Sequence, residues 1–190
     1  MSNFNKCLNA VLKHEGGFIK HPKQPDLSSN SGITKKVYEA WAKKSITEDQ
    51  LESLSKTEVA LFYKEKYWKV LQCDNLPHGV DLIVFDFAVS AGPYKAVIKL
   101  QQAVNCYLDG NMGPQTIEAV NSQNIRDVIN KYKDLRLSFY RNIPGYDAFG
   151  ASWEDRTEDI TNIAISYLPK YEHEDSILSY FSDKPDEHTI

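Results

Sequence analysis

The 190-residue chain has only three cysteines, Cys7, Cys73 and Cys106. Their odd number, wide spacing and lack of a C-x-x-C pair exclude a disulfide scaffold and a thiol redox motif. They read as small buried hydrophobes of a chain made in a reducing compartment. No stretch approaches the ~20 consecutive apolar residues of a membrane span, so no stable membrane insertion is expected. The N-terminus MSNFNKCLNAVLKHEGG holds no apolar run of signal-peptide length, which predicts synthesis in the cytoplasm. Basic charge is not in excess either. Twenty-two Lys and Arg stand against 26 Asp and Glu, a formal net charge of −4, which argues against a dedicated nucleic-acid binder. The five histidines, at 14, 21, 78, 173 and 188, share no zinc-ligand spacing with the cysteines. A glycine-rich phosphate loop and a nucleophilic-serine elbow are also missing, so no cofactor is implied. A chain of this size buries roughly 70% of its unfolded surface and can sustain a core without cross-links.

What is present is mostly helical periodicity. Phe4, Cys7, Leu8, Val11 and Leu12 recur at the spacing of an amphipathic helix, which Gly16-Gly17 ends. From Phe18 to Gly32 the chain is rich in Pro, Ser, Asn and Asp, predicting an irregular loop or a short β-hairpin. Thr34 is placed to cap a helix, and Thr47-Glu48-Asp49-Gln50 and Ser55-Lys56-Thr57-Glu58 read as capping boxes. Pro77-His78-Gly79 breaks the chain before an almost wholly apolar helix, Val80 to Ala91, interrupted by Asp81 and Asp86. Asp81 suits a helix start as a cap. Beyond Gly92-Pro93, helices are expected around Ala96–Val104, Thr116–Val120, Ile125–Phe139 and Ile160–Tyr167, with a last one at Ile177–Phe181 and a loose polar tail. The fold class is mainly α, with position 92 the best internal seam.

Glu15 does not fit its surroundings. It lies four residues after Val11 and seven after Leu8, so it continues the apolar stripe of the first helix. Burial disfavours a carboxylate, and so does the negative end of a helix dipole in the last turn. A carboxyl whose charged form is disfavoured is what a general acid requires. The plainer reading has Glu15 pointing to solvent, paired with Lys13 or Lys20.

Several fragments in fixed order bear on that choice. His14-Glu15-Gly16-Gly17-Phe18, then a Pro-bearing loop, then Gly32-Ile33-Thr34 resembles the N-terminal signature of glycoside hydrolase family 108. The resemblance continues through Tyr67-Trp68, Cys73-Asp74-Asn75-Leu76-Pro77 and Val84-Phe85-Asp86-Phe87-Ala88-Val89-Ser90-Ala91-Gly92-Pro93. Leu100-Gln101-Gln102-Ala103, Asp109-Gly110 and Gly113-Pro114 look like the peptidoglycan-binding lobe usually joined to it, and Trp153 and Arg156 match a further Trp-x-x-Arg element. The family comprises N-acetylmuramidases with a lysozyme-like helical fold. The resemblance therefore implies a muramidase catalytic lobe over residues 1–92 and a peptidoglycan-binding helical lobe over 93–170 packed against it. A C-terminal helix and tail would occupy 171–190.

Carried onto this chain, the catalytic glutamate is Glu15. The family's loop normally bears two aspartates and a glycine pair. Here His21, Gln24 and Asp26-Leu27 stand instead, which predicts a less sharply folded hairpin and leaves Asp26 as the carboxylate able to substitute. Ser29, Asn30 and Thr34 border the loop facing Glu15 and are candidate hydrogen-bonders to substrate. Asp86, an acid within an apolar helix, either lines the substrate cleft or caps the buried end of another helix. Trp41, Trp68 and Trp153 are either core residues or platforms for sugar rings. The implied function is an endolysin-type enzyme cleaving the β-1,4 bond between N-acetylmuramic acid and N-acetylglucosamine, with peptidoglycan glycan strands as partner. A holin or a secretion system would provide export, and a monomer is expected. The alternatives are a lytic transglycosylase and a non-catalytic wall-binding or morphogenesis protein.

Overall fold

Residues 3–169 are described by a computed structural model, and helices dominate them. Helix α1 (Phe4–Glu15) leads into a loop and a hairpin of β1 (Ser29–Asn30) and β2 (Ile33–Thr34). Then come α2 (Lys35–Ala42), α3 (Glu48–Glu52) and α4 (Lys56–Tyr63), the last running on through a π-helical turn, Lys64–Trp68. The second half holds α5 (Val80–Ala91), α6 (Pro93–Val104), α7 (Pro114–Asn121), α8 (Ile125–Arg141) and α9 (Tyr146–Ser166). The helix expected at 177–181 and the tail lie outside the described residues.

Local chemistry sets the boundaries. The Thr47 hydroxyl accepts from Gln50 N at 3.2 Å while the Gln50 side chain accepts from Thr47 N at 3.0 Å, and Ser55 and Glu58 repeat the exchange for α4. Both boxes satisfy amides that a helix start leaves without partners. Asp81 takes Gly79 N and Leu82 N, each at 2.8 Å, at the start of α5. Helix α9 begins at Tyr146, well before the Ile160 region to which apolar spacing points. Its buried face is Gly150, Thr157, Ile160, Thr161 and Ala164, too small and too hydroxylated to stand out as a hydrophobic stripe.

Residues on both sides of Gly92 contribute to one hydrophobic cluster. Helix α5 forms its axis: every residue from Val80 to Ala88 is buried, and α1, α6, α8 and α9 all pack on it. Helix α1 therefore lies across the junction, and its C-terminal turn reaches the surface where the hairpin, α4 and α9 meet.

Candidate active site

The hairpin is tighter than the loss of the Asp26-Leu27 glycines suggests, because its sharp turn comes later. Ser29 pairs with Thr34 and Asn30 with Ile33, joined by Ser31 and Gly32 at φ 51° and 74°. Two successive left-handed residues are the requirement of a type I′ turn, whose twist matches the strands. Ile19 bridges to Ser29 on the outer edge, which ties the loop back to the end of α1.

This turn is pressed against Glu15. A Cβ on Gly32 would lie 2.3 Å from Glu15 Oε2 and 2.9 Å from its Cδ, so only glycine lets the carboxyl rest on the backbone here. The Tyr63 hydroxyl donates to Ser31 O at 2.8 Å and holds the turn in place. The π turn after α4 sets the rings of Tyr63 and Tyr67 5.7 Å apart, beneath the carboxyl. Burial, with the Glu15 charge adding to it, pushes both phenols up, so they remain protonated donors.

The Glu15 side chain is 15% exposed, and its other oxygen, Oε1, accepts from Arg156 Nη2 at 2.6 Å. The same nitrogen donates to Asp86 Oδ1 at 2.8 Å, and Arg156 Nε adds a second bond to that carboxylate at 3.0 Å. Arg136 Nη1 reaches Asp86 Oδ2 at 2.7 Å, with both groups fully enclosed. Burial opposes the Asp86 charge, but Arg136 and Arg156 outweigh it and hold the carboxyl below its ordinary value. Charge therefore alternates through Arg136, Asp86, Arg156 and Glu15, which tie together α8, α5, α9 and α1. Among the described residues no hydrogen bond is made to Glu15 Oε2, which lies against the Gly32 backbone.

The other sequence candidates fall elsewhere. Asp86 has no exposed surface, so it stands behind Arg156 and holds it rather than lining a cleft. Asn30 is spent on the scaffold, with Nδ2 donating to Leu51 O and Glu52 O, both at 2.9 Å. Thr34 caps α2 through Val37 N, and Ser29 contributes its backbone to the sheet. Asp26 lies in a short 3₁₀ turn, 69% exposed and 3.5 Å from Lys35, away from the Arg156 network. Trp68 is core, donating to Asp74 and packed between Phe4 and Phe85. A groove of about 520 Å³ between α1 and α4 touches Ser31 and is walled by Leu8, Leu12, Leu54 and Val59 together with Asn5, Asn9 and Lys56. The acid–base groups are concentrated at Glu15. The described residues contain no cluster of His, Cys, Asp and Glu suited to a metal.

Gly32 supplies a direct test of this geometry. If the Glu15 carboxyl is a reacting group, the change Gly32→Ala is expected to lower the reaction rate by about 10²-fold, since a displacement of roughly 1 Å has that effect. Strain at φ 74° is expected to destabilise the fold by only about 1 kcal/mol. Steady-state rates and thermal melts on the same sample separate the two.

The glycosyl hydrolase 108 family model matches residues 8–92, a span that holds Glu15, Gly32, Tyr63 and Asp86 and excludes both arginines. Among solved structures, the structure of Brucella abortus SagA is 32% identical, covering 89% of this chain and 97% of that chain with a TM-score of 0.79. No curated protein matches.

Proposed function

This chain belongs to the glycosyl hydrolase 108 family, and from that membership we propose that it is an endo-acting N-acetylmuramidase with Glu15 as its general acid. The observation that carries the reading is the placement of one carboxyl at the end of α1. One of its oxygens is fixed by Arg156 and the other lies against the Gly32 backbone, free of hydrogen bonds among the described residues.

The chemistry follows from that arrangement. Glu15 Oε2 gives its proton to the bridging oxygen between N-acetylmuramic acid and N-acetylglucosamine as the glycosidic bond breaks and positive charge grows on the ring. The carboxylate left behind is stabilised by Arg156, which Asp86 holds in place. Tyr63 and Tyr67 exclude water from beneath the carboxyl, which strengthens each of these interactions. A hydroxide equivalent from water then completes the cleavage, and its proton returns to Glu15.

Digesting purified peptidoglycan and weighing the products tests the bond and the outcome together. Reducing N-acetylmuramic acid ends are expected. Reducing N-acetylglucosamine ends would contradict the assigned bond. Anhydro-muramic ends would mean that the 6-hydroxyl of the sugar, rather than water, attacks.

A further inference from the structure

His14, the residue before Glu15, makes a contact that has no part in proton transfer. Its ring nitrogen Nε2 lies 2.9 Å from Asp159 Oδ2, with the histidine 23% and the aspartate 52% exposed. A proton on Nε2 is enough for the ring to donate, so the contact does not need an imidazolium. Helix α1 thus meets α9 through two neighbouring pairs, His14 with Asp159 and Glu15 with Arg156. The pairs run in opposite senses, because each helix supplies one of the two acids. Asp159 follows Arg156 by three residues, the spacing at which helical side chains face each other. It is the only acid three or four residues from Arg156 in the sequence. Asp155 is adjacent to Arg156 and so does not face it, and Glu158 lies 3.5 Å from Lys133. Partner exchange is therefore built into the four groups. Without His14, Asp159 can turn to Arg156 and draw Nη2 away from Glu15.

We propose that His14 is a positioning residue for the glycosidase reaction, which reserves Arg156 for Glu15 by occupying Asp159. The inference rests on the muramidase reading for the reaction that it serves. The way Arg156 is held makes it open to such competition. Nε and Nη2 both donate to Asp86, and Nη2 alone also reaches Glu15. The guanidinium can therefore pivot on Asp86 and release Glu15 without leaving its buried anchor. Asp86 has no exposed surface, whereas Asp159 is half open to solvent and has room to change rotamer. A carboxylate turned onto the guanidinium would take up the charge-assisted bond that steadies Glu15 once its proton has left. An ion pair as exposed as His14 with Asp159 adds little to stability. Its effect falls instead on which acid Arg156 holds.

The test uses the full chain and soluble peptidoglycan glycan fragments. His14→Ala is expected to lower kcat about fivefold with KM unchanged, the rate equivalent of a contact of about 1 kcal/mol. His14→Gln should keep the wild-type rate, since its amide donates to Asp159 as the ring does. Combining His14→Ala with Asp159→Ala removes the competing carboxylate and should recover most of the lost rate. Two lost structural contacts would do the opposite. The side-chain carboxyl carbon of Glu15, followed by NMR at fixed pH and assigned with Glu15→Gln, should move in His14→Ala and return in the double variant. A double variant as slow as His14→Ala would overturn the proposal and reduce the pair to a tie between helices. So would a rise in KM at unchanged kcat, which would place His14 on the substrate, and so would an unmoved carboxyl signal. If wild type cleaves no fragment yet the carboxyl signal moves and returns as stated, the role of His14 toward Arg156 stands and the muramidase reading falls.

Discussion

The change Glu15→Gln is expected to lower kcat on peptidoglycan by about 10²–10⁴-fold, the contribution typical of a positioned general acid. The amide keeps the shape of the side chain and can still accept from Arg156 Nη2, which lies 2.6 Å from Oε1 in the native chain. The amide cannot donate a carboxylic proton to the leaving oxygen. KM should stay within a small factor of wild type, because the sugar-facing surfaces are unchanged. The thermal midpoint should barely move, since the fold around the carboxyl is held by Gly32, Tyr63 and the Asp86 network. Solubilisation of labelled sacculi measures the rate, and a melt on the same sample shows that the fold is intact. A non-catalytic wall-binding protein would give no solubilisation from either form.

The second large effect concerns stability. Asp86→Asn removes the only carboxylate among the described residues that lies between Arg136 and Arg156, and both Asp86 and Arg136 are almost wholly enclosed. Taking one partner from a buried ion pair costs about 3–5 kcal/mol, because the remaining charge stays desolvated and uncompensated. A loss of that size is expected from urea or thermal unfolding of the variant. Activity should fall too, since Arg156 would be drawn toward Glu15 or swing away from it.

The pH dependence has a definite sign. Arg136 and Arg156 depress the Asp86 carboxyl below its ordinary value, so the folded chain releases this proton more readily than the unfolded chain. The stabilisation is complete above the unfolded value near ~3.9 and drains away as pH falls through the lower folded value. Wild type should therefore lose stability steeply below about pH 4, whereas Asp86→Asn should follow a flatter curve there. Parallel curves for the two proteins would mean that the network contributes nothing to acid stability.

Much of the helical frame was readable from residue order, because its signals are local. The capping boxes at Thr47 and Ser55, the breaks at Gly79 and Gly92, and the stripe of α1 each need only a few neighbouring residues. The first half of α9 was hidden, since Gly150, Thr157 and Thr161 bury a face without hydrophobic side chains. Glu15 could be singled out because it sits on an apolar stripe. Arg136 obeys the same logic, four residues after Tyr132 and four before Tyr140 on the buried face of α8. Arg156 is marked in the sequence only by a Trp-x-x-Arg element, and its partners lie on helices 70 and 141 residues away in sequence. Polarity alone makes Asn30 a candidate for substrate and leaves Asp86 open between the cleft and a buried helix end. The structure spends both on internal partners, as buried polar groups require.

The most direct test of proton donation by Glu15 compares two leaving groups. Wild type and Glu15→Gln would be assayed on a peptidoglycan glycan fragment and on an aryl glycoside of the same disaccharide, whose acidic phenol departs without protonation. If Glu15 is the general acid, the variant should be crippled on the natural fragment and should recover most of the wild-type rate on the aryl glycoside. An equal deficit on both substrates would contradict the assignment.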